Sequence, residues 1–167
     1  NQLIVADGHH NRVLKVARDG TVSELITFGN IVPTGLAVVG PLVFMAQAGP
    51  VPHEPEDGKV IAFGPWRHSV WEVASGAPLL VDVELGKSFD LFALSQGTWD
   101  GVAEGSPALP FTGALVEAKL DGSFRIVADE LNIPTSLEII GDTAYVVSLV
   151  GEIWKIEGIS GRRGKGR

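Results

Sequence analysis

Three of the four histidines of this 167-residue chain, His9, His10 and His53, fall in polar stretches between apolar runs. Carboxylates accompany them. "ADGHHNR" sets Asp7 beside His9 and His10, and "AGPVPHEPEDG" sets His53 beside Glu54, Glu56 and Asp57. Neutral imidazoles and carboxylates that converge from separate loops are the donors a divalent metal ion takes. His9, His10, His53 and Asp57 are therefore the candidate ligands of such an ion. The same groups can instead supply a general base. A third stretch, residues 96–113, carries Trp99, Asp100, Glu104, Phe111 and two prolines. A stretch that long without its own pattern is uncommon in a compact domain and tends to be functional or mobile. Its indole can stack on a flat ligand. Trp99 and Asp100 thus join His9, His10 and His53 as candidate ligand-binding residues.

Plainer roles compete for each of these. Asp7 and Asn11 stand where turns need side chains that bond to backbone, and His9-His10 reads equally as an exposed turn pair. His53 lies among Pro50, Pro52 and Pro55, where its ring can simply pack, and His68 beside Trp66 and Trp71 reads as structural. No complete catalytic signature is present: no G-x-S-x-G elbow, P-loop, dinucleotide fingerprint or H-E-x-x-H. The catalytic residues, if there are any, are not assigned by sequence.

The elements that must position these loops come from a repeat. "VPTGLAVVGPLVFMAQ" (32–47) and "IPTSLEIIGDTAYVVS" (133–148) match along their length, and "VDVELGKSFDLFALS" (81–95) is a weaker copy between them. Phe44, Phe92 and Tyr145 occupy equivalent places, with Ile4 as the fourth. Each unit continues through a loop into a strand opened by a small residue, and Asp19-Gly20 and Asp121-Gly122 predict tight two-residue hairpins. The unit is four antiparallel strands in about 50 residues, the size of a β-propeller blade. The chain is thus expected to be all-β: about three and a half four-stranded blades, at 1–31, 32–79, 80–132 and 133–158. Residues 159–167 are expected to form a disordered basic tail. The first unit begins at its second strand and the last ends at its third. A partial propeller leaves edges and blade faces open, so the expected partner is a second copy of the chain or a missing N-terminal half.

Charge narrows the classes further. The net charge is −7, but four of the basic residues lie in "GRRGKGR"; without them 9 basic residues face 20 acidic ones, a net of −11. Such a body argues against a nucleic-acid surface. There is no cysteine, hence no disulfide or thiol nucleophile. No apolar run approaches the roughly 20 residues that span a bilayer.

"LIVADGHHNRVLKVARDGTVSEL" resembles an NHL-type repeat. The runs "VPTGLAVVGPLVFMAQAGPVPHEPEDGKVIAF" and "TGALVEAKLDGSFRIVADELNIPTSLEIIGDTAYVVS" are similar to the ScyD/ScyE family of propeller proteins, over residues 3–157. That resemblance implies a longer six-bladed propeller, secreted or periplasmic, with members linked to assembly of an indole-phenol pigment. Three functions are then expected in order. The first is a binding or interaction module whose loop-rich face engages a small molecule or a protein. The second is an exported enzyme acting on small aromatic or lactone-like compounds, with a divalent ion. The third is a structural repeat protein that forms assemblies.

Overall fold

The structure, a computed structural model, describes residues 2–64, 67–103 and 105–160. Trp66, Glu104, the His68 side chain and the basic residues of 161–167 lie outside the described residues. The described strands form four antiparallel sheets. β1 (Leu3–Asp7), β2 (Arg12–Val16) and β3 (Val22–Thr27) make the first. β4 (Pro33–Val39), β5 (Leu42–Gln47), β6 (Lys59–Gly64) and β7 (Arg67–Ser75) make the second. β8 (Leu80–Leu85), β9 (Leu91–Ser95), β10 (Gly113–Ala118) and β11 (Phe124–Leu131) make the third. β12 (Pro134–Ile140), β13 (Thr143–Ser148) and β14 (Ile153–Glu157) make the fourth. Every sheet runs up and down in chain order, so the blades and their count of strands are those of the repeat.

Why the Pro-Thr motif opens the innermost strand is now visible. Val32, Leu79 and Ile133, each just before β4, β8 or β12, adopt φ of 50°, 49° and 46°. That region is costly for a non-glycine residue. Each of their carbonyls accepts an N–H from the loop beyond the second strand: Ala48, Gln96 and Leu149, at 3.0, 3.0 and 2.9 Å. A bulge follows at the start of each innermost strand. The Thr34 hydroxyl lies 3.1 Å from the Ala46 carbonyl and 2.9 Å from that of Leu80; the Thr135 hydroxyl lies 3.1 Å from that of Val147. The hydroxyl thus stands in for ladder bonds that a proline and a bulge remove.

The Asp-Gly hairpins differ from the expected two-residue form. Gly20 N donates to Ala17 O at 3.0 Å while Ala17 N donates to Thr21 O at 2.9 Å, and Gly20 has φ +87°. Residues 119–123 repeat the pattern. These are three-residue loops with the glycine alone in the left-handed region. The aspartate stays in ordinary backbone because its carboxylate bonds forward instead, to Thr21 N at 2.9 Å and Ser123 N at 3.0 Å.

Sheets pack face to face through three apolar cores. Ile4, Val13, Leu25 and Phe28 meet Val43, Met45 and Phe63 between the first and second sheets. Ala37, Phe44 and Val60 meet Val83, Ala93 and Val116 between the second and third. Phe92, Leu94 and Leu115 meet Leu137, Val146 and Trp154 between the third and fourth. Ile4, Val13, Leu137 and Ile139 thus face inward, although an open arc invites the expectation that they lose cover. Alternation puts Leu3, Val5, Leu14 and Val16 on the outer face of the first sheet, and Tyr145, Val147 and Ile153 on that of the fourth. The fold also runs past the expected boundary at 158. Ile159 is buried in the last core, and the Ser160 N–H bonds the Asp142 carboxylate at 2.6 Å.

Candidate functional site

The second-to-third strand loops all leave the sheets at the end where β4, β8 and β12 begin. Residues 8–11, 48–58, 96–112 and 149–152 therefore share one face. The longest loop is ordered by its own bonds. Trp99 and Ala108 form an isolated antiparallel bridge, Leu109 N donates to Thr98 O at 2.8 Å, and Thr98 N donates to the Thr112 hydroxyl at 2.9 Å. Inside it the Ser106 hydroxyl accepts the Trp99 indole N–H at 2.9 Å and donates to Asp100 Oδ1 at 2.5 Å. Asp100 also accepts the Val102 N–H at 2.9 Å. Those bonds, the Ser106 one first, hold its carboxyl below the usual range. Asp100 is thus the brace of the loop, and Trp99 is what the loop presents.

Trp99 packs on an apolar floor of Ala48, Leu79 and Ala108, flanked by Val32 and Val81. Two of these residues, Val32 and Leu79, are the left-handed ones at the strand entrances. His53 meets Trp99 edge to face, ring centroids 5.7 Å apart. Its Nδ1 is buried without a hydrogen-bond partner among the described residues. The structure therefore brings together His53 and Trp99, two of the five candidate binding residues, from separate loops of the second and third blades.

His9 and His10 occupy the neighbouring loop, their rings 4.9 Å apart. That loop abuts the same floor: a Cβ on Gly8 would lie 2.9 Å from Pro33 O and 3.7 Å from a Val32 methyl. His10 Nδ1 lies 3.0 and 3.1 Å from the two Asp7 oxygens, and Arg12 Nε donates to Asp7 Oδ2 at 2.9 Å. The Arg12 and His10 bonds hold the Asp7 carboxyl down to about 2, so it is an anion throughout the neutral range. In the neutral imidazole, an anion at Nδ1 favours the proton there and leaves Nε2 as the acceptor nitrogen. Asn11, the expected turn-former, does more than cap its own loop. Its Oδ1 accepts Ile31 N at 3.0 Å and Val32 N at 2.8 Å, tying the first sheet to the entrance of the second.

No three His, Asp or Glu side chains among the described residues gather as a set able to hold a metal ion. His10 is turned to Asp7 and His53 to Trp99. Asp57 ends a 3-10 turn, Pro55–Asp57, and its carbonyl lies 3.4 Å from Gln47 Nε2. The divalent-ion expectation at His9, His10, His53 and Asp57 thus finds no donor set among the described residues.

Sequence reading missed Asp82 and Glu84. They alternate along an otherwise apolar innermost strand, and that alternation was the available signal. Asp82 accepts the Leu137 N–H at 2.8 Å and its neighbour Val83 N–H at 2.9 Å, joining the third sheet to the fourth. Burial pushes its carboxyl up, and Glu84 is raised by burial and then by the Asp82 charge. A raised folded value favours the protonated form, so this contribution to stability is present at low pH and lost as pH rises through the raised value. Asp82→Asn is expected to flatten the pH dependence of the melting temperature above the ordinary aspartate value, where the raised Asp82 carboxyl would otherwise ionise. A variant whose profile parallels the parent's would show that Asp82 titrates as in an unfolded chain.

No family model and no curated protein matches the chain. Solved structures do. A protein designated a candidate gluconolactonase superposes with TM-score 0.66 at 15% identity, over 94% of this chain and 59% of that one. A gluconolactonase from Xanthomonas campestris gives 0.67 at 19% identity, over 92% and 53%. A streptogramin B lyase gives 0.52 at 12%, over 92% and 53%. The chain thus spans between half and three-fifths of the length of these β-propeller proteins, and the likeness shows the fold: an all-β partial propeller.

Proposed function

We propose that the chain is a binding module, and that its loop face takes a small, flat, apolar or aromatic molecule against Trp99 and His53. The observation that carries this reading is the loop 96–112, whose internal bonds set one indole on an apolar floor beside an imidazole edge. The resemblance to the ScyD/ScyE family, with its indole-phenol chemistry, points the same way. Titration calorimetry with indole tests it. Saturable binding is expected, weakened about tenfold in Trp99→Ala, since an aromatic pair is worth roughly 0.5–1.5 kcal/mol beyond its buried area. Absence of saturable heat, or equal affinity in the variant, refutes the reading.

A second reading, an enzyme for lactone-like compounds, is favoured by the Asp7–His10 pair. An oriented imidazole can take a proton from water as its oxygen attacks a lactone carbonyl, and return it to the alkoxide when the ring C–O bond breaks. The propeller neighbours named as gluconolactonases make glucono-δ-lactone the first substrate to try. Acid release from it, followed with a pH indicator in metal-free buffer, should fall at least about a hundredfold in His10→Gln. A rate no faster than buffer in the parent protein removes this reading.

A further inference from the structure

The two ring nitrogens of His53 stand in different surroundings. Nδ1 is enclosed and meets no hydrogen-bond partner, whereas Nε2 retains access to solvent. Among the described residues no hydrogen bond reaches either nitrogen, from Glu54, Glu56 and Asp57 of its own loop or from Asp100 beside Trp99.

A neutral imidazole carries one N–H and one lone pair. Inside a protein an unpaired N–H is rarer than an unpaired acceptor, so the lone pair belongs on the enclosed Nδ1 and the proton on Nε2. Water bonds that N–H in the free protein, and a ligand resting on Trp99 can take the water's place. His10 is arranged the other way, with Asp7 at its Nδ1 and Nε2 left as acceptor. The two histidines of this face therefore offer a ligand opposite polarities.

Charge narrows the acceptor that His53 can serve. Asp100, next to Trp99, is held as an anion by Ser106 and the Val102 N–H. Glu54, Glu56 and Asp57 follow His53 in its own loop. A ligand carboxylate or phenolate meets like charge here, and a neutral carbonyl does not.

We propose, resting on the binding reading above, that the site selects flat rings with a neutral carbonyl oxygen at the rim, lactones and lactams among them, and that the His53 Nε2–H is the donor that recognises this oxygen. The ring lies on Trp99 above the floor of Ala48, Leu79 and Ala108, with its carbonyl toward the imidazole. His53 is then the residue that sets specificity, and Trp99 the one that holds any flat ring.

Indole and oxindole form the test pair. Oxindole keeps the indole frame and its N–H and adds one ring carbonyl. Titration calorimetry on the whole chain should show oxindole binding about fivefold tighter than indole, the worth of one net hydrogen bond. His53→Phe keeps a ring against Trp99 and removes the donor. The ratio of the two affinities is the readout, so a general loosening of the site cancels. In His53→Phe the oxindole preference should vanish or reverse, because its carbonyl then loses water without a replacement. Nitrogen-15 shifts of the histidine rings, above the ordinary histidine titration range, read the tautomer directly. The signals missing in His53→Phe assign it, and the Nε2–H form is expected. Equal affinities in the parent, a preference retained in His53→Phe, or the Nδ1–H tautomer each overturn the inference while leaving the indole reading in place. Absence of saturable binding by both compounds removes that reading and this inference together.

Discussion

Gly35→Val should cost about 3 kcal/mol of folding stability, the upper part of the range for a side chain forced into a packed interior. A Cβ at that position would lie 2.6 Å from Asp82 Cα and 2.9 Å from Val83 N. These are backbone atoms of the next innermost strand, and no rotamer change moves them away. The strands must part instead. Parting them also strains the Thr34 hydroxyl bond to Leu80 O, at 2.9 Å, and shifts the Asp82 carboxylate that holds Leu137 N on the fourth sheet. One substitution thus loosens three consecutive blades at their inner edge. Denaturant unfolding with Gly29→Ala as control decides it. A Cβ on Gly29 would meet nothing within 4 Å, and its φ is ordinary, so that change should stay within about 0.5 kcal/mol of the parent. A Gly35→Val protein as stable as the control would mean that β4 and β8 can separate freely.

The same position shows how far the sequence could be read. "PTG" in the second unit and "PTS" in the fourth are aligned by eye, so the repeat, its strands and their number follow directly. The reason for glycine in one and serine in the other does not. Gly35 faces a following sheet at backbone contact, whereas Ser136 reaches back only far enough to lie 3.4 Å from Asp82. Contacts between blades carry no local period, and so Asp82 and Glu84 read only as strand residues. The candidate site divides in the same manner. His9, His10, His53, Trp99 and Asp100 are legible as loop residues because the strands around them are periodic. That Asp100 braces its own loop, that His10 turns to Asp7, and that His53 meets Trp99 depend on bonds among irregular segments, which residue types alone do not rank. Asn11 is legible as a residue that bonds to backbone, yet the N–H groups it accepts lie 20 and 21 residues away.

At micromolar concentration the 167-residue chain by itself should not run as a 17.6 kDa particle. The inner faces of its terminal sheets are satisfied, and the outer faces are not. Leu3 is 68% exposed, Val22 58% and Ile153 73%, and they stand with Val5 and Val147 on two flat, mostly aliphatic surfaces. Covering one such side chain is worth roughly 1.5–3 kcal/mol, so a contact that covers several can offset the cost of association. Charge opposes it only modestly: Arg12 offsets one of Asp7 and Glu24 on the first face, and Lys155 offsets one of Glu138 and Glu157 on the fourth, which leaves about one net negative charge on each. Light scattering after size exclusion is therefore expected to give a mass of two chains or more, rising with loading concentration if opposite faces join in series. Leu3→Lys, Val22→Lys and Ile153→Lys together should return it toward the single-chain mass, with the far-ultraviolet spectrum of the sheets retained. A parent protein that is monodisperse at the single-chain mass and unfolds cooperatively would show that water tolerates both faces, and would remove the case for a second copy as partner.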